Sequence, residues 1–107
     1  MRLSPLDPLY YAMVGTRAFT HMAQGEDAEA AEWAERAARM PNAHALIAMI
    51  AVAAQALAGN DRGAEAWAAD VRERHPALRR DDFFRAFPIK ARAMRERVSE
   101  ALGRFGY

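Results

Sequence analysis

The side chains best suited to metal binding or proton transfer are three histidines, His21, His44 and His75. No two are spaced i, i+4 and no other ligand spacing surrounds them, so no metal site is expected. The hydroxyls of Ser4, Ser99, Thr16, Thr20 and the tyrosines sit in no nucleophile motif. The chain has no cysteine, which removes thiolate chemistry and disulfides. Glu26, Glu29, Glu32 and Glu35 recur every three residues and read as a solvated helical stripe, not an acid–base pair. Charge is uneven: residues 1–78 carry 7 basic and 10 acidic side chains, residues 79–107 carry 8 and 4. The basic tail includes Arg79, Arg80, Arg85, Lys90, Arg92, Arg95, Arg97 and Arg104. These cations interleave with acids and accompany no nucleic-acid motif, so nucleic-acid or other polyanion contact is a minor alternative. The expectation is a non-catalytic chain without a cofactor.

The elements that position these residues are marked by their breaks. Pro5 and Pro8 bracket an entry turn; Gly25, Pro41–Asn42, Gly59, His75–Pro76 and Pro88 end successive helical patterns. Asp27 and Asp61 fit the N-caps of the helices that follow the two glycines. The pattern predicts six helices, over about 8–24, 27–40, 43–58, 61–75, 79–86 and 89–103, and no strand. Links of two to four residues make consecutive helices antiparallel neighbours. The third stretch, "ALIAMIAVAAQALA", is apolar nearly all round, which demands cover on most sides. At 14 residues it falls short of the ~18 needed to span a membrane. The N-terminal "MRLSPLDP" lacks an apolar signal core. A cytoplasmic chain without membrane contact is expected, and the lack of cysteine fits a periplasmic one equally.

Two stretches repeat. Gln24–Ala37, "QGEDAEAAEWAERA", and Ala58–Val71, "AGNDRGAEAWAADV", align Gly25 with Gly59, Asp27 with Asp61, Ala30 with Ala64, and Trp33 with Trp67. Each pair is 34 residues apart. A two-helix unit of that period cannot bury its apolar face alone and stacks on a copy of itself. Small residues at Ala30 and Ala64 allow close helix crossings, and the tryptophans fill the seam between hairpins. Ile89, Ala93, Met94, Val98, Ala101, Leu102 and Phe105 recur at helical spacing and predict an amphipathic cap.

On these residues the chain resembles the tetratricopeptide (TPR) repeat family. Gly25 and Gly59 match the turn glycines. Ala30, Ala37 and Ala64 match the second-helix alanines, with Val71 in place of the last, and Pro41 and Pro76 match the closing prolines. The early large aromatic of the first helix is missing, with Val14 and Ala48 near its slot. The resemblance implies an all-α, right-handed superhelix of about two hairpins, repeat one over 8–41 and repeat two over 43–76, with a C-terminal cap over 79–105. "RLSP" resembles the end of a preceding repeat. The tail "DFFRAFPIKARAMRERVSEALGRFG" is similar to endings of bacterial TPR regions that follow cyclase or DNA-binding regulator domains. Both point to a fragment of a longer bacterial protein.

The resemblance also implies a function, protein–protein interaction or scaffolding through the concave face lined by first helices. Family spacing directs attention to Ala12, Gly15, Phe19, Met22 and Ala23, then to Leu46, Met49, Ala53, Ala56 and Leu57. The Lys/Asn set that clamps a peptide carboxylate in some TPR domains is absent. The expected partner contacts are Tyr10, Tyr11, Phe19, Met22, Met49 and Ala53, unless the last helix or another subunit covers that face. Phe83, Phe84 and Phe87 are the expected contacts if the chain forms a homodimer.

Overall fold

The structure, a computed structural model, describes residues 8–40 and 44–107, with side chains from Gly15 onward. Six helices follow one another: α1 (Pro8–Ala23), α2 (Asp27–Ala38), α3 (Ala45–Leu57), α4 (Asp61–Arg74), α5 (Arg80–Ala86) and α6 (Arg92–Gly103). No strand occurs among the described residues. The all-α expectation stands, with helix ends within about two residues of those expected except at α6. That helix starts three residues later, because the chain after Pro88 runs extended into Ala91 at φ −70°, ψ 113°. Ile89 is therefore not on the capping helix.

The two glycines at the repeated helix ends act as expected. Gly25 and Gly59 take φ +75° and +82°, the left-handed conformation that a Cβ disfavours. At each, the glycine N–H donates to the carbonyl two positions inside the helix end, and the following residue donates to the carbonyl before it. Gly25 N–H meets Met22 O at 3.1 Å and Glu26 N–H meets His21 O at 2.8 Å; Gly59 and Asn60 repeat this on Ala56 O at 3.1 Å and Gln55 O at 2.8 Å. These are two copies of the Schellman motif, one period apart. A Cβ at Gly59 would meet nothing within 4 Å, so only backbone strain opposes it. Gly59→Ala is expected to cost about 1–2 kcal/mol, read as a lowered midpoint in urea denaturation.

The motif also corrects the cap assignment. The residue after each glycine closes the Schellman motif and doubles as the next N-cap. Glu26 therefore precedes α2, without a side-chain cap bond. Asn60 caps α4, its Oδ1 accepting from Gly63 N–H at 3.1 Å. Asp27 and Asp61 are the first helical residues instead. A carboxylate there still favours the positive helix end.

The core is centred on α3, where Ala45 and Ile47–Ala56 are buried. It packs against α1, α2, α4, α5 and α6, as a helix without a polar face must. Ala48, Ala51, Ala53 and Ala54 have no exposed surface, and such small side chains let five neighbours approach one helix. The radius of gyration is 12.6 Å, near the ~13 Å of a folded chain this long, so α5 and α6 fold back over the hairpins instead of lengthening the stack.

The tryptophans occupy equivalent sequence positions but different surroundings. Trp67 on α4 reaches α2 across the seam, its indole Nε1–H donating to Glu35 Oε1 at 2.6 Å. Glu35 also accepts from Gln55 Nε2 at 3.2 Å and Arg39 Nε at 2.6 Å. Gln55 Oε1 in turn accepts from Asn60 Nδ2 at 2.8 Å. Glu35 is thus the hub between the hairpins, not a member of a solvated stripe. Trp33 lies between the guanidiniums of Arg17 and Arg36, 5.3 and 4.9 Å from its ring centre, a cation–π arrangement.

Candidate functional site

Four aromatic rings join the cap to the first hairpin. Phe83 on α5 is fully buried. It meets Phe19 of α1 at 6.2 Å, Phe84 at 5.3 Å and Phe87 at 5.2 Å between ring centres, all edge-on. Phe19 also meets Phe87 at 5.4 Å. Such contacts orient rings as well as burying them, and they fix the α5–α6 joint against α1.

That joint does not close completely on α1. A groove of about 460 Å³ remains, floored by Phe19, Ala23, Phe87, Ile89 and Met94, with Thr16, Thr20 and Lys90 at its edge. Phe19, Phe87, Ile89 and Met94 are only partly buried, so each presents apolar surface to the opening. Lys90 is exposed. The groove can take one or two apolar side chains, and its cation favours a neighbouring carboxylate. Among its described lining residues Lys90 is the one ionisable side chain, beside the hydroxyls of Thr16 and Thr20.

The structure separates the expected contact residues into three sets. Phe19 lines the groove. Met22, Met49 and Ala53 have no exposed surface: α1 and α3 pack against each other, and α6 packs on α3, where a partner was expected. The side chains of Tyr10 and Tyr11 lie outside the described residues. Of the self-association residues, Phe83 is buried and out of a second copy's reach, Phe84 lies beneath the Arg95 guanidinium at 4.6 Å, and Phe87 faces the groove. Sequence reasoning missed Ile89, Met94 and Lys90 as groove residues. Ile89 and Met94 matched the apolar period of the last helix, which hid them among its core positions. The one available signal was Pro88, which delays that helix.

Two further expectations change. His44 and His75 do not stand alone: their rings stack at 5.6 Å with 23° between planes. His44 also caps α3, its Nδ1 accepting from Leu46 N–H at 3.1 Å. Among the described residues no group of three or more metal-ligating side chains occurs. Three of the seven arginines of the tail reach back to other elements, while Arg79, Arg85, Arg92 and Arg95 are exposed. Arg80 donates to Ser99 O at 3.3 Å, Arg97 forms an ion pair with Asp27, and Arg104 donates to Ala56 O. No described helix is long and apolar enough to cross a membrane.

No family model, curated protein or solved structure matches the chain.

Proposed function

We propose that the chain is a non-catalytic, TPR-like interaction module, the regulatory or scaffolding part of a longer bacterial protein, and that its partner is a protein segment. The observation that carries this reading is the convergence of Phe19, Phe87, Ile89 and Met94 on one open groove. Apolar side chains held partly exposed on α1, α6 and the segment that joins α5 to α6 form a preorganised surface, so an incoming side chain is bound with little ordering of the receptor. The bound segment is a short helix or extended strand that buries an apolar anchor beside Phe19 and sets an acidic residue near Lys90. Polyanion binding is the weaker reading: Arg80, Arg97 and Arg104 are engaged within the chain, and the exposed Arg85 and Arg92 lie beside Asp82 and Glu96, whose charge opposes a polyanion.

Selection from a displayed random-peptide library on the intact chain tests this. Enriched peptides should share an apolar anchor followed or preceded by an acid. Ile89→Asp and Met94→Asp should each weaken them by at least about tenfold, with the circular dichroism spectrum unchanged. Peptides that bind these variants as well as the native chain would place the interaction elsewhere. If light scattering instead shows a mass doubling with concentration that Ile89→Asp abolishes, the groove belongs to a second copy.

A further inference from the structure

The cap helix contacts the two hairpins in the same way twice. Arg97 donates through Nη2 to both carboxylate oxygens of Asp27, at 3.0 and 2.8 Å, and through Nη1 to Met22 O at 3.2 Å. Arg104 donates through Nη2 to Ala56 O at 3.1 Å and lies 3.9 Å from the Asp61 carboxylate. Met22 and Ala56 are one period apart, as are Asp27 and Asp61. Each arginine therefore bonds a carbonyl near the end of the first helix and faces the carboxylate that opens the second, hydrogen-bonded at Asp27 and a looser ion pair at Asp61.

The spacing has a physical basis. Arg97 and Arg104 are seven residues apart, which is nearly two helical turns, so both project from one face about 10 Å apart. Neighbouring packed helices lie some 8–10 Å apart, so this spacing suits acceptors carried on neighbouring hairpins. Between the arginines, Val98, Ala101 and Leu102 are buried, and α6 packs against α3. Both acceptor sets belong to the Schellman turns: Met22 O and Ala56 O each accept the glycine N–H of the turn and take the guanidinium on the second lone pair, and the aspartate opens the next helix two residues after the glycine. The second site is the more open, with the Arg104 and Asp61 side chains 49% and 67% exposed.

We infer that each hairpin turn is a guanidinium receptor, and that the pair accepts a partner helix bearing two arginines seven residues apart with small apolar residues between, in competition with α6. A carboxylate with an adjacent carbonyl matches the fork of a guanidinium better than a lysine ammonium. α6 occupies the receptors because it is tethered, which gives it a high effective concentration. A separate helix sees only the fraction of molecules in which α6 has lifted. Lifting α6 would also take Met94 out of the groove beside Phe19, so the two readings are separated by their variants: Ile89→Asp reports on the groove, Asp27→Asn and Asp61→Asn on the turns.

A fluorescent peptide with the sequence of residues 92–107, titrated against the intact chain, provides the test. The Arg97→Ala/Arg104→Ala chain should bind it at least about tenfold more tightly than the native chain. A peptide lacking both arginines should lose that gain, as should a chain that also carries Asp27→Asn and Asp61→Asn. A lysine-for-arginine peptide should fall between the two. Equal binding by the native and double-variant chains, or binding that ignores the peptide arginines, overturns the inference. If the double variant loses helix content, added arginine peptide should restore it, and failure to do so also overturns the inference. Arg104→Ala alone, at the more exposed site, should give a smaller gain in the same direction.

Discussion

Phe83→Ala should be the most damaging single truncation in the cap, lowering unfolding free energy by about 3–5 kcal/mol. Phe83 has no exposed surface and is the ring that Phe19, Phe84 and Phe87 all contact. Removing it deletes apolar burial and leaves a void among three rings anchored on two different elements. They cannot collapse together without shifting α5 against α1. A domain of this size has only about 5–15 kcal/mol in total, so a large fraction is lost. Urea denaturation followed by helical circular dichroism measures it. Phe84→Ala, with its ring partly exposed beneath Arg95, should cost clearly less. A loss below about 1 kcal/mol for Phe83→Ala would mean that α5 does not close the first hairpin.

Glu35→Ala should be the second largest, at about 2–3 kcal/mol. Its carboxylate accepts from Trp67, Gln55 and Arg39, and its side chain is only 25% exposed. Truncation removes the acceptor that the indole N–H and the Gln55 amide share across the seam. Trp67 should report this directly through a changed emission spectrum. The same site sets an acid dependence. Burial raises the Glu35 pKa, but the hydrogen bonds from Trp67, Arg39 and Gln55, together with the Arg39 charge, outweigh it and leave it below the ordinary 4.5. The unfolded chain therefore takes up this proton first as pH falls. The stabilisation is complete well above 4.5 and is lost as pH drops through the lower, folded value. Glu35→Gln binds no proton there, so its urea midpoint should fall less than that of the native chain between about pH 5 and pH 3. Parallel curves for the two proteins would remove Glu35 as the source.

Much of the fold was legible in the residues themselves. Gly25 and Gly59 mark helix ends because the left-handed turn they adopt is a local backbone property. "ALIAMIAVAAQALA" announces its own burial because no side of it suits water. The candidate site was legible only in part. Phe19 could be placed on a first helix by period, but whether a position is lined, covered or open depends on what lies across from it. Met22, Met49 and Ala53 satisfy the same period as Phe19 and are buried under elements remote in sequence.

The repeat makes the division clear. Sequence alone determines that Trp33 and Trp67, or Asp27 and Asp61, are equivalent, since period and helix spacing are counted along the chain. Only tertiary structure decides what each copy does. Trp67 has Glu35 of the preceding hairpin as its acceptor and Trp33 has two guanidiniums, because a side chain's partner comes from whichever element packs beside it. The aspartates, expected as N-caps, are the first residues of their helices and meet arginines about 70 and 43 residues away. Hydrogen bonds and ion pairs act over a few ångströms of space, and the distance along the chain does not encode them.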